Sequence, residues 1–303
     1  MTANWAFLEL PFAEHALIAA SLVAIISGVV GPFVISRGMS FAVHGAAELA
    51  LTGAAAGLLI ANNPVAGALL GSLVVASAFG ILAVRERERD SAIGVILAFG
   101  LGLGFYLLEF YHGFTSEAVN ILIGQITGVS TGQIELLSIV AVAVLAAMAF
   151  LYRPLTFASV DVDVAEARGV RTRLVGLLFL YLLCITVTEA AQVVGTILVL
   201  SLVITPAAAA QRLSARGGVV IALSTLFALI AADGGLVVNI VYVPDFRASS
   251  FITFIAFGIY VLARISTLLR RKIRLMLERR PVDIPASPAG AVALQDGPLR
   301  SKA

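Results

Sequence analysis

Nine apolar runs, most of them close to membrane-spanning length, follow one another along this chain, and no other feature limits its fold as strongly. They cover about 13–36, 41–60, 65–84, 91–111, 134–152, 174–189, 192–210, 219–241 and 250–269. A helix needs about 20 apolar residues to cross the hydrocarbon core of a bilayer. A barrel strand needs about 10, and they alternate with polar ones. The runs here are continuous. The expected fold is therefore all-α: a polytopic integral membrane helical bundle of about nine transmembrane helices. The count is eight if the short paired runs 174–189 and 192–210 do not both cross. Composition agrees, with 60% hydrophobic and 13% charged residues, where soluble domains carry about 25% charged. The mean hydropathy is +1.03.

The positive charges orient the bundle. Of 20 Lys and Arg, 19 follow odd-numbered runs: Arg37, three within 85–89, four within 153–173, Arg212 and Arg216, and nine from Arg264 to Lys302. Only Arg247 falls on the other side. The positive-inside rule then predicts an external N-terminus and a cytoplasmic C-terminus. Residues 1–280 read as one transmembrane domain with its spans over 13–269, interrupted by a longer cytoplasmic loop at 153–173. The stretch 281–303, rich in Pro, Ala and Gly, reads as a disordered cytoplasmic tail. The start of the chain has no cationic segment ahead of its first apolar run, which argues against a cleaved signal peptide. A lone Cys184 excludes an intrachain disulfide and a cysteine-cluster metal site.

Two ionisable residues stand inside the second run, His44 and Glu48, with only small or apolar residues between them. At i and i+4 they share one helix face, their Cβ atoms about 6 Å apart. Each costs about 2.5–3.5 kcal/mol to insert on the lenient scale. Imidazole plus carboxylate suits a divalent transition metal. Thr52 extends the same line by one turn. The competing reading is a hydrogen bond that only locks two helices. Two ligands are too few for a closed zinc site, which takes four, but weak binding is what a transport path requires. No GxxxxGK[ST] phosphate loop and no HExxH occur, so this chain has no Walker ATPase chemistry and no zincin site.

Five stretches, in order and with compatible spacing over about Ala16–Leu269, resemble the ZnuB-like permease subunits of ABC importers for zinc, manganese or iron(II). RGMSFAVHGAAELALTG (from Arg37) resembles the family's R-x-M-x-x-x-x-D-x-x-x-H-x-x-x-x-G. DSAIGVILAFGLGLG (from Asp90) resembles its D-T-A-I-G-I segment, and ILIGQITGVS its short external piece. SVDVDVAEARGV resembles its cytoplasmic D-x-x-x-A-x-x-x-G loop. VVGTILVLSLVITPAAAA (from Val193) resembles its V-V-G-x-x-L-V-x-x-L-L-x-x-P-A-x-x-A span. Against that pattern His44 replaces an Asp, Glu48 a His and Thr52 a Pro, so the ligand order is swapped while the ligand types are kept.

The resemblance implies a transporter subunit, not an enzyme, in the cytoplasmic membrane of a prokaryote. It implies a homodimer working with two copies of a separate ATPase and an extracytoplasmic metal-binding protein. Nucleic acid has no part in it. No cofactor is expected to stay bound. The cargo is a divalent metal, ranked zinc first, then manganese or iron, passing His44 and Glu48. Asp161, Asp163, Ala165, Glu166, Arg168 and Gly169 would form the loop that docks the ATPase, although acidic residues before a short helix and Gly after it are also ordinary caps. Other residues fit two readings. Glu189 and Gln192 extend the path or sit at the membrane surface. Glu109 and His112 lie near the external end of the fourth run, as surface or entry residues. Pro206 is a plain kink or a break lining the path. Asp90 is expected to cap the fourth helix. The rival functions are an ion-coupled secondary carrier and a non-transporting scaffold.

Overall fold

The computed structural model describes residues 10–82, 89–111, 128–243 and 246–278. Among these there is no strand, and ten helices follow in order. They are α1 Pro11–Ser36, α2 Ser40–Ala61, α3 Pro64–Leu82, α4 Arg89–Glu109, α5 Thr131–Val160, α6 Val162–Ala167, α7 Thr172–Val194, α8 Thr196–Leu213, α9 Gly217–Tyr242 and α10 Ala248–Glu278. The chain divides into two compact units, Met1–Ile265 and Ser266–Ala303; of the second, only Ser266–Glu278 is described, and it is helical. The tail 281–303, His112 and most of the ILIGQITGVS segment lie outside the described residues.

The expected all-α polytopic bundle is what the chain forms. Among the described residues, eight helices are long and apolar enough to cross a membrane. The second of the paired runs forms α8, an 18-residue helix that is not among these eight. The boundary between the sixth and seventh runs also moves. α7 continues through Glu189 and Gln192 to Val194, and the chain bends at Gly195 instead. Gly195 has φ 94°, a conformation that costs any residue with a Cβ.

Local chemistry explains the other boundaries. Pro11 opens α1 at a position where its missing N–H is not needed. Asn62 ends α2 in the left-handed conformation with φ 50°, which Asn tolerates better than most residues. Asn63 then accepts a bond from the Ala66 N–H at 3.0 Å and starts α3. Ser130 and Gln133 form a reciprocal capping box on α5. Asp90 lies inside the first turn of α4 rather than ahead of it, where its charge still suits the helix dipole. The segment 153–173 is less of a loop than expected, because α5 runs on through Arg153 and Pro154 to Val160. Leu155 and Ala158 are buried there, so packing extends the helix past its most apolar part.

In the packing, α1 lies along α9, α8 and α5, while α2 lies along α3 and α4 with α7 beside it. Apolar attraction between helices is weak in lipid, so close van der Waals contact must supply the association. The α2–α3 seam takes this to its limit. A Cβ on Gly67 would stand 2.4 Å from the Gly53 carbonyl oxygen and 2.4 Å from the Gly57 Cα. A Cβ on Gly71 would stand 2.7 Å from the Gly53 Cα. The two backbones touch, and no side chain fits between them. Gly67→Ala is expected to lower stability by about 1–3 kcal/mol through overpacking, read as a fall in detergent melting temperature. Gly102→Ala, where a Cβ meets nothing within 4 Å, should leave melting unchanged.

Candidate metal path

α2 presents the expected pair. His44 Nε2 stands 3.2 Å from Glu48 Oε1, with the side chains 41% and 26% exposed respectively. The i, i+4 spacing therefore brings them together as the sequence implies. The Phe41 ring lies one turn before His44, 6.2 Å from the imidazole. Thr52 belongs to a different contact. Its hydroxyl donates to the Gly100 carbonyl at 2.7 Å, and Gly104 packs against its backbone, so it fastens α2 to α4.

Glu48 lines a cavity of about 700 Å³ with Leu101 and Phe105 of α4, Thr196 at the start of α8, Arg247 and Thr253. Val194 and Thr196, on either side of the Gly195 bend, both face this space. The break between α7 and α8 therefore lies at the wall of this cavity. Pro206 lies well inside the continuous helix α8 and is buried. The sequence signal for the break was the glycine in VVGTI, not the proline.

Glu189 is only 3% exposed. Its Oε1 accepts a bond from Gln192 Nε2 at 3.1 Å, and neither residue lines the Glu48 cavity. Glu109 ends α4 and is exposed. Among the described residues no group of three or more His, Cys, Asp or Glu side chains is close enough to hold a metal ion. Within α2 the pair places one imidazole beside one carboxylate.

The short helix α6 carries the other expected set. Asp161 accepts a bond from the Val164 N–H at 3.0 Å and caps it. Ala165 is buried, and Glu166 accepts a short bond from the Thr172 hydroxyl. Arg168 ends the helix, and Gly169 follows at φ 82°. Asp163, Val162 and Val164 stay exposed. A six-residue helix is thereby held rigidly, with an exposed apolar and acidic face.

One intramembrane contact escaped the sequence reading. Ser21 Oγ donates to the Asp233 carboxylate at 3.0 and 3.1 Å, joining α1 to α9. The signal was available, since Asp233 is the only charged residue in the apolar run 219–241.

With this geometry in view, comparison with known proteins decides the family. The ABC 3 transport family matches residues 9–267. The chain belongs to that family. It is 30% identical over 257 residues to the "Manganese transport system membrane protein MntC" of Halalkalibacterium halodurans, covering 84% of this chain and 87% of that one. It is 33% identical over 200 residues to the "Manganese import system permease protein ScaB" of Streptococcus parasanguinis, covering 66% and 71%. The solved structure of PsaBC from Streptococcus pneumoniae in complex with Fab superposes with TM-score 0.75 at 28% identity, over 85% of this chain and 94% of that one. This ABC 3 chain is a membrane permease subunit of a metal ABC importer, and the ATPase is a separate subunit.

The Ser21–Asp233 contact can be tested directly. Ser21→Ala should cost about 0.5–1.5 kcal/mol for the lost hydrogen bond, seen as a lower detergent melting temperature. Pairing it with Asp233→Leu should recover most of the loss, since an apolar pair needs no partner there.

Proposed function

We propose that this permease carries manganese(II) inward, with His44 and Glu48 as the ligands the ion meets within the membrane. The observation that carries this reading is the 3.2 Å imidazole–carboxylate pair whose carboxylate opens into a cavity of about 700 Å³. Manganese ranks ahead of zinc here because the relatives are named for manganese transport. Carboxylate oxygen also suits Mn²⁺, whereas thiolate would favour softer metals. The one cysteine, Cys184, is buried in α7 away from the pair.

The chain acts as a homodimer. Two copies supply two imidazoles and two carboxylates, enough ligands to hold an ion briefly when one chain brings only two. The N-terminus lies outside and the C-terminus inside, on the strength of the charge asymmetry. The bundle sits in the cytoplasmic membrane of a prokaryote. An extracytoplasmic metal-binding protein delivers the ion. ATP binding and hydrolysis in two copies of the partner subunit expose the pair to one side and then the other.

The α6 segment transmits that motion. Buried Ala165 anchors it, while Val162, Asp163 and Val164 are exposed toward a partner. An ion-coupled secondary carrier finds no support in a family built around a separate ATPase.

Elemental mass spectrometry of a deletion strain tests the reading. Wild type on a plasmid should restore cellular manganese, while His44→Ala and Glu48→Ala, at matched expression, should leave it at the level of the empty strain. Full restoration by both variants would refute the assignment. For coupling, Asp161→Ala should loosen α6 by about 1 kcal/mol through the lost cap. ATPase activity of the reconstituted complex should then lose its response to the loaded binding protein, while manganese binding by the permease stays unchanged.

A further inference from the structure

Among the described residues, the cavity that holds Glu48 has one other charged residue on its wall, and that residue is a cation. Arg247 lies just ahead of α10, is exposed, and lines the same space as Glu48. Ser249, Ser250 and Thr253 follow it along the wall and are neutral. Among the described residues no carboxylate lies within ion-pair distance of Arg247. In the sequence it is the single Lys or Arg outside the cytoplasmic set. A guanidinium cannot be discharged at any working pH. In a cavity walled largely by apolar side chains, such as Leu101, Phe105, Leu198 and Phe254, its field is screened less than in open water.

A fixed positive charge is an unexpected lining for a route that carries a divalent cation. It raises the energy of any cation entering the cavity, and of a divalent ion twice as much as of a monovalent one. We infer that Arg247 is a specificity-determining residue that keeps free cations from settling on Glu48. It acts as a tethered counter-charge, holding the empty cavity at a low affinity for metal. Metal then reaches Glu48 only when its delivery is strong enough to overcome that repulsion. The inference rests on the reading of Glu48 as a ligand on the path.

The experiment is equilibrium dialysis of the purified full-length permease against Mn²⁺ alone, at low and high ionic strength. Arg247→Gln should tighten Mn²⁺ binding at least about ten-fold over wild type, and added salt should narrow that gap. Arg247→Lys keeps the charge and should bind as wild type does. Adding Glu48→Gln to Arg247→Gln should abolish the gain. If Arg247→Gln binds no more tightly than wild type, including no detectable binding by either, the inference is overturned. The same holds if Arg247→Lys matches Arg247→Gln, since charge would then be irrelevant. If the gain persists without the Glu48 carboxylate, the counter-charge acts elsewhere, and the inference fails. Loss of manganese accumulation in Glu48→Ala cells, measured separately, tells whether the path itself stands.

Discussion

Close backbone contact between α2 and α3 is the constraint on which the rest of this permease depends. Gly53 and Gly57 meet Gly67 and Gly71 with no room for a Cβ between them. In lipid, where apolar side chains gain nothing by leaving the solvent, such contact is among the few ways to hold two helices in one register. α2 is then fastened on a second side by the Thr52 hydroxyl on the Gly100 carbonyl. His44 and Glu48 thus stand on a helix held against both α3 and α4.

Several hydroxyls donate within their own helix, as Thr156 does to the Tyr152 carbonyl and Ser138 to the Ile134 carbonyl, while those of Ser27, Thr188, Ser224 and Thr225 are buried without a hydrogen-bond partner among the described residues. Other polar side chains cross between helices: Ser21 to Asp233, Thr52 to Gly100, Gln211 to the Pro32 carbonyl, and Ser77 with Tyr181. Gln211 Nε2 donates to the Pro32 carbonyl at 3.1 Å and so joins α8 to α1. These cross-links tie α1 to α8 and α9, α2 to α4, and α3 to α7.

Much of this was legible in the residue order. Unbroken apolar runs fall close to the observed helices, because a bilayer accepts little else. The i, i+4 placement of His44 and Glu48 gave their contact at once. The turn at Asn62 and Asn63 was equally plain. Less legible were the ends of elements near Gly195 and Val160. There an apolar run continues across a bend, or a helix continues past an apolar run, because packing decides where it stops. Thr52 showed the same limit: it lies one turn on from Glu48 in α2, but its hydroxyl donates to the Gly100 carbonyl of α4.

By itself, the sequence determined that the chain is a helical membrane bundle, that one imidazole and one carboxylate share a helix face within it, and that its positive charges are strongly lopsided. Each follows from local composition and the 3.6-residue period, which need no knowledge of neighbours. Tertiary structure alone decided that Glu48 and Arg247, 199 positions apart by number, line one cavity. It also decided that Asp233 meets Ser21, and that Glu189 is buried against Gln192 instead of lining that cavity. Such pairings depend on which helices become neighbours, and a run of apolar residues carries almost no record of that.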